Sequence, residues 1–314
     1  MENMQIEDLQ VVLKVASFRN ITAAAASLDM RTTTASAALK RVETALGADL
    51  FIRTTRQLRL SSAGERFLPM CEQALLTLGQ ARQNIKDDLD VVEGELRITM
   101  SSDLGRNLII PWLDEFMDAY PDVSLRSHIS DSNLDFYRDS VDVALRYGAP
   151  TDANLYGFKI CNVLPLLCAS PAYLEKNGTP KHPHDLPSHN GLFYQLYDIT
   201  YDLWTFSRKG KDFKVKMSGN RASNDGDLVR RWCVAGKGVA VKSCLDMSAD
   251  LLSGSVVPLM PEFRHPQTEL WLVFPSRQSI TPATRLLRDT LREKTKGVLN
   301  QLIEKGVLER SVLA

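Results

Sequence analysis

The sequence predicts a multidomain α+β chain: a small, mainly helical N-terminal module, a long connecting helix, and a C-terminal α/β domain. Three observations carry this. Residues 20–60 read as a winged helix-turn-helix. Residues 62–90 repeat apolar side chains every three or four positions. From residue 94 onward, strand-like and helix-like runs alternate, which marks βαβ units and a mainly parallel sheet.

The N-terminal module comes first. Ile6, Leu9, Leu13 and Ala16 space as one face of an amphipathic helix that packs behind the next two. The Ala-rich run from about Ile21 to Asp29 is a helix, because alanine is the best helix former, and Asn20 is its N-cap. A turn falls near Asp29–Arg31. Thr32–Thr34 offer caps for a second helix, which Gly47 ends in the left-handed position. In that helix Ala35, Leu39, Val42 and Leu46 form the apolar face. Thr33, Ala37, Lys40, Arg41 and Thr44 form the opposite one, whose small or long basic side chains suit the DNA major groove. Leu50–Arg53 and Gln57–Leu60 are short strand-like runs around Thr54, Thr55 and Arg56, as in a wing. Between Arg31 and Arg59 six residues are basic (Arg31, Lys40, Arg41, Arg53, Arg56, Arg59) and two acidic (Glu43, Asp49). That excess favours phosphate contact. The competing reading of these residues alone is an ordinary helical hairpin with a solvated basic face.

Ser61 or Ser62 opens the long helix, and Ser62 with Glu65 fits a capping box. Leu68, Cys71, Leu75, Leu78, Arg82, Ile85 and Leu89 form a seam. Over Ser62–Asp90 the helix would run ~40 Å. So narrow a stripe on so long a helix calls for a partner helix, and Pro69 inside it should kink it. Asp90–Glu95 is the boundary. Beyond it, strands are expected at Leu96–Met100, Val123–Ile129, Val141–Arg146, Leu164–Ala169, Val239–Lys242 and Glu269–Phe274. Helices are expected around Ile109–Tyr120, at Asn133–Ser140, Gly226–Ala235 and Leu245–Leu252, and after Thr281-Pro282. Val298, Leu299, Leu302 and Ile303 suggest a helix in the tail.

Composition sets bounds. The 314 residues carry 38 basic and 38 acidic side chains, so one basic module sits on a neutral body. Five scattered cysteines without a C-x-x-C suit a reducing cytosol. No apolar run reaches ~20 residues, and Met1–Asp8 lacks signal-peptide character, so the expected location is cytoplasmic with no membrane contact. There is no G-x-S-x-G, P-loop, G-x-G-x-x-G or H-E-x-x-H, and the expectation is no catalysis and no cofactor. His182, His184 and His189 lack accompanying Cys or carboxylate ligands, so no metal is expected. Cys161 and Cys168 read as small buried groups rather than a redox pair.

The chain resembles LysR-type transcriptional regulators. In the N-terminal module the resemblance rests on Asn20-Ile21-Thr22-Ala23-Ala24-Ala25 with Leu28, Arg31-Thr32-Thr33-Thr34-Ala35-Ser36, Val42-Glu43, Leu46-Gly47, Leu50-Phe51, Arg53, Leu60-Ser61 and Gly64. Beyond it, Gly94-x-Leu96-x-Ile98, Phe116-x-x-x-Tyr120-Pro121, Val141–Arg146, Ala169–Leu174 and Ser223-Asn224-Asp225-Gly226 carry it through most of the chain. Asn20-Ile21 stand for Ser-Phe, and Thr32-Thr33 for Gln-Pro.

The resemblance implies a winged helix-turn-helix over 1–61, a linker and dimerisation helix over 62–90, and an effector domain over 91–314. That last domain has the fold of periplasmic solute-binding proteins, with one subdomain about 94–163 plus 267–297 and the other about 164–266. It assigns DNA contact to residues about 21–40 and the wing: Thr22, Arg31, Thr32, Thr33, Thr34, Ser36, Ala37, Lys40, Arg53, Thr54 and Arg56. Dimerisation falls to Leu68, Leu75, Leu78 and Ile85. A small organic effector is expected between the subdomains, lined by Ser101, Ser102, Arg146, Asn224 and Asp225. The expected partners are double-stranded operator DNA, a second or fourth copy of the chain, and RNA polymerase. A solute-binding protein, a constitutive DNA-binding protein without effector, and an enzyme are the rival readings.

Overall fold

The computed structural model describes residues 4–53, 58–87, 92–132, 136, 141–196 and 199–313. The chain divides into two compact units, Met1–Leu89 and Asp90–Ala314.

The first unit begins with α1 (Ile6–Phe18), α2 (Ile21–Ser27) and α3 (Thr32–Leu46). Asn20 caps α2, its side-chain oxygen accepting from the amides of Thr22 at 2.8 Å and Ala23 at 3.1 Å. Helix α2 stops at Ser27, two residues short of expectation, and Asp29 turns the chain with φ +51°. Arg31, not a threonine, occupies the N-cap of α3 and makes no side-chain cap bond; Thr32–Thr34 form the first turn. Gly47 ends α3 at φ +64°, as expected.

The buried faces differ in detail from the sequence reading. On α1 the buried residues are Asp8, Val11, Val12 and Val15, while Ile6 is exposed and Leu9, Leu13 and Ala16 are half-buried flanks. The face turns because Asp8 is drawn inward by Arg41, whose Nε donates to its carboxylate at 3.0 Å and whose Nη2 makes a second, shorter bond. On α3, Ala35, Ala38, Leu39 and Val42 are buried and Leu46 is exposed. These residues close one core with Ala24, Ala25, Leu50 and Phe51.

Strands β1 (Phe51–Arg53) and β2 (Leu58–Leu60) pair antiparallel, with Phe51 opposite Leu60. The wing tip, including Thr54, Thr55 and Arg56, lies outside the described residues. Helix α4 (Ser62–Asp87) continues past Pro69. The Ser62–Glu65 capping box does not form: Ser61 is the capping hydroxyl, accepting from the Gly64 amide at 3.0 Å and donating to the Asp49 carbonyl at 2.6 Å. Leu68 and Cys71 are buried within the protomer, Leu68 in the helix-turn-helix core, because the start of α4 packs on α1. Leu68 therefore does not belong to an open seam. Leu75 is half-buried and Leu78 half-exposed; the side chains of Arg82 and Ile85, and all of Leu89, lie outside the described residues.

In the second unit β3 (Gly94–Met100) leads into a short α5 (Ser102–Leu104), a π-helical turn (Gly105–Ile109) and α6 (Ile110–Ala119). Then come β4 (Val123–Ile129), β5 (Val143–Tyr147), β6 (Tyr156–Val163) and β7 (Pro165–Ala169). The helix expected over Asn133–Ser140 lies outside the described residues except Phe136. Helix α7 (Pro171–Asn177) precedes β8 (Leu192–Leu196), β9 (Ile199–Thr200), β10 (Leu203–Arg208), β11 (Lys211–Lys216) and β12 (Arg221–Ser223). Helix α8 (Gly226–Val234), β13 (Ala240–Ser243), α9 (Ser248–Ser253), β14 (Val257–Pro258), β15 (Thr268–Phe274) and α10 (Pro282–Glu304) complete the order.

Five strands form one sheet in the order β4-β3-β5-β15-β6. Its first three strands are parallel, but β15 runs antiparallel to both β5 and β6, so the sheet is mixed rather than mainly parallel. The second half builds on β13-β7-β14, antiparallel throughout, and on β12-β8-β9, with β12 parallel to β8. Around the five-stranded sheet Ile98, Met100, Leu145, Leu272 and Phe274 pack with Leu113 of α6 and Leu287, Leu291, Leu299 and Leu302 of α10. The expected tail helix is the end of α10, and Leu308 and Val312 beyond it join the same core.

Gly64 is required by a close approach. A Cβ there would stand 2.2 Å from the carbonyl oxygen of Leu50, a backbone atom that cannot move aside. Gly64→Ala should destabilise the first unit by about 1–3 kcal/mol. Amide exchange in residues 6–71 under urea should speed up accordingly; unchanged protection would mean that the Leu50 turn yields freely.

Candidate functional site

Two regions collect the functional side chains. On α3, Thr32, Thr33, Thr34, Ala37 and Lys40 are exposed beside the exposed N-cap Arg31, and Ser36 is half-buried. Thr22 is exposed on α2. The structure thus brings most of the sequence-identified groove face onto one surface, carried by a core of valines and alanines. Arg41 is on this side but is engaged by Asp8, whose carboxyl its guanidinium holds below the usual range. Glu43, counted in the sequence only as one of two acidic residues here, accepts from the amides of Leu50 at 2.8 Å and Phe51 at 3.3 Å. It fixes the start of the wing against the helix. The side chain of Arg53, with Thr54 and Arg56, falls outside the described residues.

The second region lies at the strand ends of the α/β unit, where ligands sit in open sheets. A cavity of about 790 Å³ is lined by Ser101, Arg146 and Tyr147 from one sheet and by Tyr194, Lys242 and Asp246 from the other half. A neighbouring cavity of about 610 Å³ is lined by Ser102, Arg106, Asn224 and Asp225; Asp131 and Ser132 border both. The five effector residues expected from sequence are therefore split. Ser101 and Arg146 share the larger cavity, and Ser102, Asn224 and Asp225 share the smaller.

Their local chemistry separates them further. The Ser101 Oγ is buried and has no hydrogen-bond partner among the described residues. Arg146 donates to the Ser130 carbonyl at 2.6 Å and the Thr99 hydroxyl at 2.9 Å, which aims it from β5 along the sheet edge. Ser102 is committed internally: its amide donates to Asp131 at 2.7 Å and its hydroxyl donates to the same carboxylate. Asp131 also accepts from the Gly226 amide at 2.7 Å and so ties the end of β4 to the start of α8. Asp225 caps α8 through the Leu228 amide at 3.1 Å and pairs with Arg106 at 2.9 Å. Burial would raise its pKa, but Arg106, the Leu228 amide and Ser102 together outweigh that and lower it.

The sequence reading missed the centre of the larger cavity. Lys242 is buried on β13, with its Nζ 2.5 Å from Asp103, 3.6 Å from Asp246 and donating to the Gly226 carbonyl at 3.0 Å. Tyr147 donates to Asp246 at 2.5 Å. Burial alone would lower the lysine pKa, but Asp103 and Asp246 outweigh it and raise it. Burial, and then Asp246, push the Asp103 carboxyl up to about 7 despite Lys242. Burial pushes Asp246 up as well.

The other groups weighed from sequence have structural partners. His182 accepts from the His184 amide at 3.2 Å and stacks on its ring, and buried His189 meets the Tyr173 hydroxyl at 3.3 Å. Burial pushes the Cys161 thiol up to about 11 and Cys168 well above its ordinary value, so both stay protonated. No helix among the described residues is long and apolar enough to cross a membrane.

Comparison with known proteins places these features. Residues 6–65 match the model of the bacterial regulatory helix-turn-helix protein, lysR family, and residues 90–296 match the LysR substrate binding domain. The HTH-type transcriptional regulator DmlR of Escherichia coli K12 is 31% identical over 288 residues, covering 92% of this chain and 94% of its own. Among solved structures, the full-length Vibrio cholerae virulence activator AphB, a member of the LTTR protein family, is similar at TM-score 0.58 and 25% identity. The match covers 92% of this chain and 98% of AphB. CrgA, a LysR-type transcriptional regulator from Neisseria meningitidis, is similar at TM-score 0.59 and 25% identity over the same shares.

The raised Asp103 has a consequence for stability. Unfolded, its pKa is about 3.9; folded, it is about 7. Between those values the folded state holds the extra proton, so stability falls as pH rises from about 4 to about 7. Asp103→Asn should flatten that slope, with a difference on the order of 4 kcal/mol across the window. Urea midpoints at pH 4.5, 5.5, 6.5 and 7.5 read it; parallel slopes in wild type and variant would show that Asp103 does not hold the proton.

Proposed function

Because this chain belongs to the LysR family of transcriptional regulators, we propose that it reads a pseudo-palindromic operator through paired winged helix-turn-helix units and alters transcription when a small molecule fills the 790 Å³ cavity. The observation that carries the effector half is the cavity's construction. One wall comes from β3 and β5, the other from β8 and β13, and a ligand between them touches both at once. Such a ligand shifts the protein by its differential affinity for the two arrangements of the walls. We take residues about 94–163 with 267–297 as one lobe and about 164–266 as the other.

Ser101 and Arg146 are the proposed ligand contacts, together with Lys242, which the sequence reading omitted. Asn224 and Asp225 belong to the smaller cavity and are assigned a secondary place. On the DNA side Thr33, Ser36 and Ala37 are proposed groove contacts, and Lys40, Arg53 and Arg56 phosphate contacts. Leu75 and Leu78 continue a stripe on α4 that is only partly covered within the protomer, which suits a helix–helix dimer and, through it, a dimer or tetramer. The site of action is the cytoplasm, with RNA polymerase as the downstream partner. The relatives matched are regulators, and no enzymatic role is assigned.

Lys40→Ala should weaken binding to all DNA sequences and reduce the salt slope by about one unit per protomer contact, while Thr33→Ala should change the ranking of operator variants. Fluorescence anisotropy across 50–300 mM salt separates the two. A salt slope unmoved by Lys40→Ala would remove that residue from the phosphate contacts.

Ser101→Ala should raise the effector concentration needed for a footprint change by about twofold to a hundredfold, corresponding to ~0.5–3 kcal/mol for the lost hydrogen bond. Asn224→Ala should change it little, and operator affinity without effector should hold in both. A strong effect of Asn224→Ala with none from Ser101→Ala would move the effector to the smaller cavity.

A further inference from the structure

Strands β10 and β11 form a two-stranded ribbon of their own, bridged to the neighbouring chain at Ser207 and Arg264. Lys209 and Gly210 make its turn at φ +52° and +75°, as a tight two-residue hairpin loop requires. Side chains alternate across the ribbon. Trp204, Phe206 and Val215 point inward and are buried in the core of the second half. Lys214 and Lys216 lie on the opposite face and are exposed.

The ribbon is strongly basic in a chain whose net charge is zero. Residues 207–216 hold the cations Arg208, Lys209, Lys211, Lys214 and Lys216 against one acid, Asp212. Lys216 pairs with Asp202 at 2.6 Å. Arg208, Lys209, Lys211 and Lys214 are exposed and make no ion pair among the described residues. Two of these four are held in place by rings. The Arg208 guanidinium carbon stands 4.9 Å from the centroid of Phe263, and the Lys211 Nζ stands 5.7 Å from that of Phe213. Phe213 and Phe263 meet edge to face with centroids 5.3 Å apart. Charges set beside a tight turn in this way lose less side-chain freedom when an anion meets them.

We propose that this ribbon is a second DNA-contact surface, which grips phosphates flanking the operator. The proposal rests on the reading that the first unit holds the operator itself. Phosphate contact by lysine and arginine needs no base sequence and no pocket, only exposed cations. A duplex held through the helix-turn-helix presents its flanks to the rest of the chain at a raised local concentration, so a few individually weak contacts count. An acidic protein would meet the same charges, but protein interfaces are centred on apolar or aromatic anchors. The ribbon's exposed apolar side chain is Leu203, at the end away from the basic turn.

The probe is a duplex that the full-length protein recovers from a random-sequence library. It is used as the site alone, about 30 bp, and with about 25 bp of unrelated sequence added on each side. The ribbon variant combines Arg208→Gln, Lys209→Asn, Lys211→Gln and Lys214→Gln, asparagine being suited to the left-handed position. Anisotropy is followed from about 50 to about 300 mM salt. On the long duplex the variant should bind about tenfold more weakly, with a salt slope smaller by about two units or more. On the short duplex it should match wild type. A control of equal net charge, with Lys176→Gln, Arg285→Gln, Lys296→Gln and Arg310→Gln, should match wild type on both. Lys209→Asn with Lys214→Gln leaves the ring contacts in place and should give about half the slope change, so a folding fault in the fourfold variant does not hide the answer. The proposal is overturned by an unmoved slope on the long duplex, by equal losses on both lengths, or by a control that loses as much. If wild type recovers no sequence at all, the DNA-binding reading of the first unit falls with it; sound binding to the short duplex without a flank effect overturns the ribbon alone.

Discussion

The ammonium of Lys242 is the constraint around which the α/β unit is arranged. A lysine buried this deeply is stable only with opposite charge at hand. Here Asp103 comes from the turn after β3, Asp246 from the segment after β13, and the Gly226 carbonyl from the start of α8. Tyr147, at the end of β5, then holds Asp246. Three stretches of chain thus meet on one cation and a fourth on its carboxylate partner, and all four border the cavity. Replacing the cluster with apolar groups would remove the desolvation penalty, but also the polar floor of the cavity. The same cluster makes the cavity sensitive to charge. Two carboxyls flank one lysine, so the proton held there compensates the second acid.

The DNA-binding unit uses the same logic on a smaller scale. Asp8 turns the inner face of α1 because Arg41 reaches it from α3. Glu43 is bound to two wing amides, and Ser61 joins the Asp49 carbonyl to the first turn of α4. Each of these polar contacts fixes an angle between elements that the small alanine and valine core would leave loosely set. The threonine and lysine face of α3 is then presented rigidly, as groove reading requires.

What was legible in the sequence was what is local. The helix-turn-helix could be read because Asn20, the alanine run, the 3.6-residue spacing and Gly47 all act within a few residues of one another. The strands β3 and β4 were legible as short runs in which apolar residues alternate with polar ones, and β15 as a largely apolar run. Strand β6 was not, because Tyr156–Val163 mixes lysine, asparagine and glycine with apolar residues, and Lys159 is held by Glu269 across the ladder at 2.7 Å. The antiparallel insertion of β15 was also hidden, since strand direction depends on a return from far along the chain. Leu68 and Leu75 looked equivalent on one heptad stripe, and only the packing of α4 on α1 separates them.

The candidate site was the least legible part for the same reason. Asp103, Tyr147, Lys242 and Asp246 span more than a hundred positions, and charged residues in a sequence read as surface. Ser101 and Ser102 were found because a serine pair between a strand and a helix is a local signal, yet the signal could not tell them apart. The fold does: the Ser102 hydroxyl turns to Asp131, and the Ser101 hydroxyl is buried without a partner among the described residues. The two hydroxyls are thus distinguished by which hydrogen bonds the protein leaves unmade.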